Sequence, residues 1–471
     1  MKDCILLRYG EVGLKSKRTR THIEKSYISA IKDALKRNGY KDTIIDNYGG
    51  RFVVYIEKEA ADVLKRVAGV HGVSAAKKFS FKTKKDILEK AAKFGKDVVK
   101  NKRFAVKVKR IGFHDFDSVG LAKEVGSALY NYSKGVDLTN PEATIYLEIR
   151  NKDCFFYTEN IQGVGGLPLN NSDKVLCLFS GGIDSPVAAF ELIKRGCKVD
   201  FLLVNLVGEQ YLSDVSKIYN FLSSRYAFGY TPRIFVVDGK NIVKKLKSKT
   251  PDDLRQIAFK IVLYKIGEQI ARKYDYLALA GGESLSQKSS QTLRSLIFIE
   301  KQISISMLRP LLTLDKIDIM KIARELNTFF MSEKIKEYCN LSEGPVTTAP
   351  REEDLEKLPD LEKEIKEAVK EVSITKGTLS VEETTSLKLK KGFVSVDIRE
   401  SNIVKKFSLK TDLKIPYSEI FNRLDEFKQK NLYLLICEFG VRSEDVAVEL
   451  RKKDIKAAGI SVANYLNFFK K

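Results

Sequence analysis

The chain has 471 residues, 44% of them hydrophobic and 31% charged, a balance that excludes an intrinsically disordered protein. At roughly 100–200 residues per domain, this length predicts about three to four domains. The net charge is +22, and residues 1–165 hold 33 Lys and Arg against 20 Asp and Glu, which indicates either a polyanionic partner, nucleic acid before membrane, or a solvated lysine-rich surface.

The first domain predicted along the chain is a small α+β unit at residues 1–56. A strand is predicted at Cys4–Tyr9, a helix around Thr21–Asn38 and a second strand at Arg51–Ile56.

Residues 57–168 form the second predicted domain. Phe104–Lys109 alternates apolar and basic residues as a half-exposed strand does, and Ala143–Ile149 and Cys154–Tyr157 predict two more strands. Helical spacing covers Ser118–Tyr130, with Ser118 as the predicted N-cap. A glycine-rich run at 163–168 marks the boundary with the next domain.

Residues 172–350 alternate between predicted strands and helices. The strands are apolar, and they are Val175–Phe179, Phe201–Val207, Arg233–Val237 and Tyr276–Ala280. Helices are predicted between them at Pro186–Lys194, Glu209–Ser223 and Leu254–Lys273. This alternation predicts a doubly wound parallel sheet in an α/β domain.

The remaining residues are predicted to form a charged linker and a last α/β domain. Residues 351–380 carry 9 acidic and 6 basic side chains and include a helical stretch at Glu352–Glu371. In residues 381–471, strands are predicted at Phe393–Ile398 and Leu432–Ile436, and a helix at Glu444–Lys452.

Several kinds of protein are excluded by features that the chain lacks. No apolar run approaches the ~20 residues of a membrane span, and the charged N-terminus is unlike a signal peptide, so we expect a cytoplasmic protein without membrane association. Six cysteines are too few for a disulfide scaffold, and none forms a CxxC pair of the kind that holds zinc. With only three histidines, the chain is expected to work without a histidine base.

The strongest motif is Ser180-Gly181-Gly182-Ile183-Asp184-Ser185, which lies between a predicted buried strand and a predicted helix. Glycines let the backbone approach an anion closely, and the amides at a helix N-terminus present partial positive charge to it. Ser180 and Ser185 add hydroxyl donors, and Asp184 can hold Mg²⁺ beside phosphates. An ordinary tight turn between strand and helix is the alternative. The whole hexad resembles the PP-loop of enzymes that split ATP into AMP and pyrophosphate to adenylate a substrate.

Further segments resemble a single family, the tRNA 4-thiouridine synthetases (tRNA uridine 4-sulfurtransferases), over essentially the whole chain. These segments are Arg8-Tyr9-Gly10-Glu11, Gly281-Gly282-Glu283-Ser284, Ser290-Gln291-Thr292, Leu308-Arg309-Pro310-Leu311, Asp315-Lys316 and Glu337-Tyr338-Cys339. The resemblance implies a ferredoxin-like domain at residues 1–56, a tRNA-binding THUMP domain at 57–168, a PP-loop adenylation domain at 172–350 and a rhodanese-like sulfur-carrier domain at 381–471.

The resemblance also assigns residues to the nucleotide site. Besides the hexad, the residues that match the family's ATP contacts by position are Leu178, Phe179, Leu203, Val204, Lys260, Gly282 and Gln291. Asp184 and Lys316 are the charged residues expected to act in adenylation, because Mg²⁺ and a lysine stabilise the charge that spreads over the phosphates. A solvated Lys316 behind a capping Asp315 is the alternative. The chain departs from the family where His-Phe is replaced by Leu203 and Val204, and where a glycine is replaced by Ser286.

A second motif, Cys437-Glu438-Phe439-Gly440-Val441-Arg442, lies between the last predicted strand and helix. A cysteine in such a loop lies among backbone amides that stabilise a thiolate or persulfide, although a buried strand-end cysteine is the alternative. The motif resembles the rhodanese active-site loop. The resemblance makes Cys339 the partner of Cys437.

The activity that the resemblance implies has three steps. ATP and Mg²⁺ serve to adenylate uridine 8 of tRNA at its C4 oxygen, with release of pyrophosphate. Cys437 then delivers sulfur from a persulfide supplied by a cysteine desulfurase, and AMP leaves. Cys339 finally attacks to leave a Cys339–Cys437 disulfide that a reductant must reopen. Either the linker lets the last domain swing, or a second subunit of a homodimer supplies one thiol.

Two other functions remain open from the sequence. The rhodanese-like domain could pass sulfur to an adenylated sulfur-carrier protein for the thiazole of thiamine, which the resemblance also implies. Alternatively, the chain could be a non-catalytic tRNA-binding sulfur relay, although the intact hexad argues against this.

Overall fold

The computed structural model describes residues 1–10, 15–206, 208–335, 341–380, 392–438, 440–462 and 465–466. The chain divides into two compact units, Met1–Pro168 and Leu169–Lys471. This division falls at the end of the glycine-rich run. None of the helices in the described ranges combines the length and apolarity that a membrane span requires.

The first unit is built on one mixed sheet whose described strands follow the order β2-β3-β1-β4-β7-β6-β5, with β8 beside β4. The strands are β1 (Lys2–Tyr9), β2 (Ile45–Asn47), β3 (Arg51–Val54), β4 (Val70–Ser80), β5 (Phe104–Ile111), β6 (Ala143–Arg150), β7 (Asp153–Tyr157) and β8 (Ile161–Gln162). The helices are α1 (Lys17–Arg37), α2 (Ala61–Leu64), α3 (Lys84–Gly95) and α4 (Ser118–Tyr130).

The long strand β4 joins the two small domains predicted for this unit. It pairs antiparallel with β1 on one side and with β7 on the other. The predicted boundary at residue 56 therefore lies ahead of a strand that both halves share. The helices cover the sheet through apolar positions spaced three or four residues apart, as Ile23, Tyr27 and Ala30 of α1 illustrate.

The N-cap of α4 is Asp117, and the prediction of Ser118 was wrong. The Asp117 carboxylate accepts hydrogen bonds from the backbone N–H groups of Val119 and Gly120, both at 2.8 Å. One carboxylate thereby satisfies two N–H groups that lack helical partners, and Ser118 becomes the first residue of the helix.

The second unit contains a parallel sheet in the order β13-β12-β9-β10-β11, extended by antiparallel β14. Its strands are β9 (Lys174–Leu178), β10 (Lys198–Asn205), β11 (Arg233–Asp238), β12 (Ala278–Ala280), β13 (Ser306–Leu308) and β14 (Ser373–Lys376). Its helices are α5 (Asp184–Lys194), α6 (Glu209–Tyr226), α7 (Lys240–Lys249), α8 (Arg255–Tyr274), α9 (Leu293–Glu300), α10 (Lys316–Glu325), α11 (Phe329–Glu333) and α12 (Glu362–Lys370).

Much of the segment predicted as a charged linker is folded onto this sheet, which corrects that prediction. In α12, Ile365 and Val369 are spaced four residues apart and are buried in the same apolar core as α8. The following strand, β14, pairs with β11 at the edge of the sheet. The Tyr219 hydroxyl donates a hydrogen bond to the Gly377 carbonyl at 2.8 Å. The segment carries many charges, but its helix is amphipathic and its apolar stripe is buried.

The C-terminal part carries a parallel sheet in the order β16-β15-β17-β18. Its elements are β15 (Val394–Asp397), α13 (Ser401–Lys406), β16 (Leu413–Lys414), α14 (Tyr417–Ile420), β17 (Leu432–Cys437), α15 (Val441–Lys452) and β18 (Lys456–Ser461). The predicted strands and helix are therefore present here with shifted ends.

Candidate active site

The loop that joins β9 to α5 folds around its own serine side chains. The backbone N–H of Ser180 donates a hydrogen bond to Ser185 Oγ at 3.2 Å, and the two Oγ atoms lie 3.4 Å apart. Gly182 N–H donates to Ser180 Oγ at 3.4 Å. The Tyr211 hydroxyl of α6 donates to the Ser180 carbonyl at 3.0 Å. The loop thus wraps the N-terminus of an eleven-residue helix, which is the arrangement that binds phosphate groups.

Two glycines of the site are required by close packing. Gly181 has a φ of +72°, and a Cβ atom there would lie 2.7 Å from Ile335 Cδ1. At Gly282 a Cβ atom would lie 2.9 Å from the backbone carbon of Asp184. Gly282 therefore lets the loop after β12 lie directly against the start of α5, so that both segments face the same space.

That space is a cavity of about 570 Å³ at the carboxyl ends of the parallel strands. Most of the residues assigned to the nucleotide site line it, and these are Leu178, Phe179, Ser180, Gly182, Asp184, Ser185, Val204, Lys260, Gly282 and Gln291. Its wall also includes residues that the sequence analysis did not assign, namely Ile183, Leu202, Leu206, Tyr211, Gln256, Phe259, Leu263, Gly281, Glu283, Lys288, Ser289, Ser290, Ile335 and Val346.

Gly181 and Leu203 are absent from the cavity wall. Successive side chains of a strand point to opposite faces of the sheet, and in β10 it is Leu202 and Val204 that line the cavity. Leu203 lies between them in sequence and is buried. A Cβ atom at Gly181 would lie against the side chains of Ile335 and Val215.

Lys316 is brought to the loop by α10, of which it is the first residue. Asp315 caps this helix by accepting a hydrogen bond from Asp318 N–H at 2.8 Å. The Lys316 ammonium donates to Asp184 Oδ1 at 2.5 Å, and Gln287 Nε2 donates to Asp184 Oδ2 at 3.4 Å. The two charged residues selected for adenylation are therefore in contact, and the helix start does not leave Lys316 simply solvated.

Glu283 forms a second ion pair in the wall of the cavity. Its Oε1 atom accepts hydrogen bonds from Lys260 Nζ at 2.8 Å and from the Tyr264 hydroxyl at 2.9 Å. Burial alone raises the pKa of Glu283, but the Lys260 ammonium and the Tyr264 hydroxyl outweigh it and hold this pKa below its ordinary value. The buried Glu283 carboxylate therefore positions the Lys260 ammonium as a cation in the cavity wall.

Gly281 belongs to the same arrangement. A Cβ atom at Gly281 would lie 2.1 Å from Glu283 Oε2, so a larger residue there would displace the carboxylate. Glu283 lies in the Gly281–Ser284 segment, and the sequence pattern alone assigned it no role. The sequence signal for this role was a carboxylate that stands two residues after a glycine at the end of a strand.

Ser286 occupies a backbone conformation that favours glycine. Its φ is +62°, and its N–H donates a hydrogen bond to the Gln291 carbonyl at 2.9 Å. A non-glycine residue with this φ carries backbone strain, so a glycine would be favoured at this position.

Cys437 is the last residue of β17 and is 3% exposed. The Ser443 backbone N–H donates a hydrogen bond to Cys437 Sγ at 3.4 Å, and Ser443 Oγ lies 3.3 Å from the same sulfur. Gly440, with a φ of +80°, caps the N-terminus of α15. The sulfur therefore lies at the start of a helix, within reach of an amide donor, as a stabilised thiolate requires.

Two charged pairs lie in the C-terminal part, and one of them includes Arg442 of this loop. The Arg399 guanidinium holds the buried Asp397 carboxylate through two hydrogen bonds, of 2.8 and 2.6 Å. Arg442 lies 3.8 Å from Glu400 and over the ring of Tyr417, with 4.8 Å to its centroid.

Cys339 lies outside the described residues. Of the described residues that flank it, Ile335 lines the cavity and Leu341 is buried in the apolar core beside α8. Cys437 forms no disulfide with any residue that the structure describes.

The residues of the cavity fit a Mg²⁺ that accompanies a nucleotide. Within the described ranges, no three His, Cys, Asp or Glu side chains come together as a metal site. Mg²⁺ that accompanies a nucleotide needs one or two protein carboxylates beside the phosphate oxygens. Asp184 offers such a carboxylate at the loop.

Comparison with known families matches successive parts of the chain. The ThiI ferredoxin-like domain matches residues 4–74, the THUMP domain residues 81–159, and the family described as "Thiamine biosynthesis protein (ThiI)" residues 170–363.

Individual proteins match most of the chain. The tRNA sulfurtransferase of Pyrobaculum aerophilum is 36% identical over 466 residues, which cover 97% of this chain and 96% of that protein. The tRNA sulfurtransferase of Thermoplasma volcanium is 33% identical and covers 96% of this chain and 94% of its own length. A crystal structure of a 4-thiouridine synthetase–RNA complex with bound ATP is similar with a TM-score of 0.69 and 25% identity, covering 80% of this chain and 100% of that chain.

Proposed function

The chain belongs to the tRNA sulfurtransferase family, and we propose that it is an ATP-dependent enzyme that converts uridine 8 of tRNA to 4-thiouridine. The observation that carries this proposal is the contact of Lys316 with Asp184 at the Ser180–Ser185 loop, beside a cavity walled by the nucleotide-site residues. This arrangement joins a phosphate-binding loop, a lysine and a carboxylate, which are the groups that adenylation of a carbonyl oxygen requires.

In the first step, the C4 oxygen of the uridine attacks the α-phosphorus of ATP. An O–P bond forms, the bond to pyrophosphate breaks, and the proton on N3 is lost. Negative charge grows on the α-phosphate and on the departing pyrophosphate, and the loop amides and Lys316 are placed to stabilise it. Asp184 would hold the Mg²⁺ that neutralises the phosphates. Lys260, positioned by Glu283, adds a second cation in the wall.

The second step uses the C-terminal loop. A cysteine desulfurase supplies Cys437 with a persulfide, whose outer sulfur attacks C4 so that AMP leaves. Cys339 then attacks Cys437 Sγ, which breaks the bond between Sγ and the outer sulfur. The outer sulfur stays on C4, and 4-thiouridine is released. The resulting Cys339–Cys437 disulfide is reopened by an external thiol. The Ser443 amide supports this assignment because it stabilises negative charge on the sulfur.

The first unit is proposed to hold the tRNA. Residues 1–165 carry an excess of 13 positive charges, and the THUMP match lies within them. Phosphate contacts and shape, and not base sequence, are the features by which such a surface recognises double-stranded RNA.

A second function is favoured by one observation. The family matched at residues 170–363 is described as a thiamine biosynthesis protein. The persulfide on Cys437 would in that case be passed to the adenylated C-terminus of a sulfur-carrier protein. This function needs the Cys437 loop and does not need tRNA, so the two can be separated by assay.

Nucleoside analysis of tRNA tests the main proposal. Cells with and without this protein are compared, and 4-thiouridine at position 8 is expected only where the protein is present. Equal amounts of 4-thiouridine in both would overturn the proposal. A growth defect that supplied thiazole corrects is caused by loss of the second function and not by loss of 4-thiouridine.

A further inference from the structure

Helix α7 presents three lysines on one face. Lys240, Lys244 and Lys247 are spaced i, i+4 and i+7, and all three are exposed. On the opposite side, Ile242 and Leu246 are buried in the apolar core that α8 shares. The three lysines, called the α7 lysine face below, therefore project away from the protein over about 10 Å of helix.

The charge of the α7 lysine face is almost uncompensated. The helix contains no acidic residue. Lys240 lies 3.9 Å from Asp238, while Lys244 and Lys247 form no ion pair with any residue in the described ranges. Lys245, on the flank of the helix, is held by Glu364 of α12. A face of this kind attracts polyanions.

Helix α7 begins beside two residues of the cavity wall. Asp238 ends β11 opposite Asn205 of β10, and α7 follows after Gly239. A Cβ atom at Gly239 would lie 2.6 Å from Val204 Cγ1 and 2.7 Å from Leu206 Cδ2, and both of those residues line the cavity. Lys240 is thus one residue away from a backbone that packs against the cavity wall.

We propose that the α7 lysine face binds backbone phosphates of the tRNA strand that carries the reactive uridine to ATP. This inference rests on the proposed function. The C4 oxygen must reach the α-phosphate inside the cavity, so in this proposal the nucleotides on either side of that uridine pass near the start of α7. Lysine ammonium groups neutralise phosphates without reading base sequence, which suits a contact that only has to position the strand.

The triple variant K240Q/K244Q/K247Q tests this inference, and α12 offers a matched control. K363Q/K366Q/K370Q removes three exposed lysines from a helix of the same unit, and that helix, unlike α7, also carries three glutamates. Affinity for unmodified tRNA is measured with the full chain between about 50 and 200 mM salt, the range over which phosphate contacts are revealed. ATP affinity without tRNA and thermal stability are measured alongside.

The α7 variant is expected to bind tRNA at least 10-fold more weakly at the lower salt. The slope of log K against log salt should become shallower by about 2, since each lost phosphate contact contributes roughly 0.7–0.9. ATP affinity and melting temperature should stay at wild-type values. The α12 variant should stay within about twofold of wild type in all three measurements.

Equal salt slopes for the α7 variant and the α12 control would overturn the inference, even if the wild type makes 4-thiouridine. If the α7 variant keeps tRNA affinity and tRNA-dependent pyrophosphate release but loses thiolation with the desulfurase, the face binds an acidic protein and the RNA assignment is wrong. Failure of the proposed function is distinguishable, since the wild type would then make no 4-thiouridine whatever its salt slope.

Discussion

Lys316 and Asp184 are 132 residues apart in sequence, yet the Lys316 ammonium lies 2.5 Å from the Asp184 carboxylate. One residue begins α10 and the other begins α5, so two helix N-termini converge on the loop that faces the cavity. In the proposed function, this pair keeps a lysine beside the loop that is expected to bind the phosphates. Asp184 would hold a Mg²⁺ that accompanies the nucleotide, and Lys316 would supply a positive charge to the phosphates.

Asp184→Asn and Lys316→Met should each lower tRNA-dependent pyrophosphate release by about 10²–10³-fold, because each removes a group that stabilises the transition-state charge. The double variant should be little worse than either single one, since the two residues act as a unit. Stopped assays of pyrophosphate report the effect. Lys321→Met, an exposed lysine of the same helix, is the control and should retain wild-type rates. A loss of tRNA affinity parallel to the loss of activity would point to misfolding instead.

Lys260→Met should destabilise the α/β domain by about 3–5 kcal/mol, because it leaves the buried Glu283 carboxylate without its cation. Adding Glu283→Gln should recover most of that loss, and urea denaturation at pH 7 measures both variants. A double variant as unstable as Lys260→Met would contradict the pairing.

The same pair predicts how stability depends on pH. The folded-state pKa of Glu283 is lower than its ordinary value, so the pair stabilises the fold above the unfolded pKa of about 4.3. This stabilisation is lost as the pH falls through the folded pKa. Stability of the wild type should therefore drop more steeply in acid than that of the Lys260→Met/Glu283→Gln variant. Parallel acid profiles would show that Glu283 is not ionised in the native state.

Cys437→Ala should abolish 4-thiouridine formation and leave tRNA-dependent pyrophosphate release intact, because activation and sulfur delivery are proposed to use separate loops. Cys339→Ala should fail in turnover with the desulfurase, although free sulfide could bypass it. Mass spectrometry after one turnover without reductant should find a Cys339–Cys437 peptide pair. Cys197→Ala is the control, and pairing of Cys437 with Cys197 or Cys177 would refute the role proposed for Cys339.

The buried cysteines of the two units should not react with alkylating reagents in the native protein. Burial raises the pKa of the Cys4 thiol to about 12, and burial raises the pKa values of Cys154 and Cys177 as well. Because the thiolate is the reactive form, iodoacetamide at pH 8 to 9 should leave all three unmodified until the chain is denatured. Native labelling of Cys177 would show that the strand leading to the Ser180–Ser185 loop opens in solution.

Much of the fold could be predicted because its signals are local. The spacing of apolar residues predicted α4 at Ser118–Tyr130, where the structure has it, and placed α5, α6, α8 and α15 within three residues of their ends. The Ser180–Ser185 hexad could be read because a phosphate-binding loop is made from consecutive residues. The N-cap was predicted one residue too late, at Ser118 instead of Asp117. Errors of one residue are expected from local rules, since adjacent polar residues compete for the same N–H groups.

The tertiary structure alone decided which distant residues meet. No role could be assigned to Glu283 from the sequence because its partners, the Lys260 ammonium and the Tyr264 hydroxyl, belong to another element. Likewise, the charges of residues 351–380 predicted a linker, although Ile365 and Val369 are spaced as one apolar stripe, and only the tertiary structure shows that this stripe packs into the core that α8 shares. Burial and pairing depend on how separate elements pack. A chain's local periodicity therefore determines its helices and strands, whereas the cations and carboxylates that share a cavity are set by the sheet that brings their elements together.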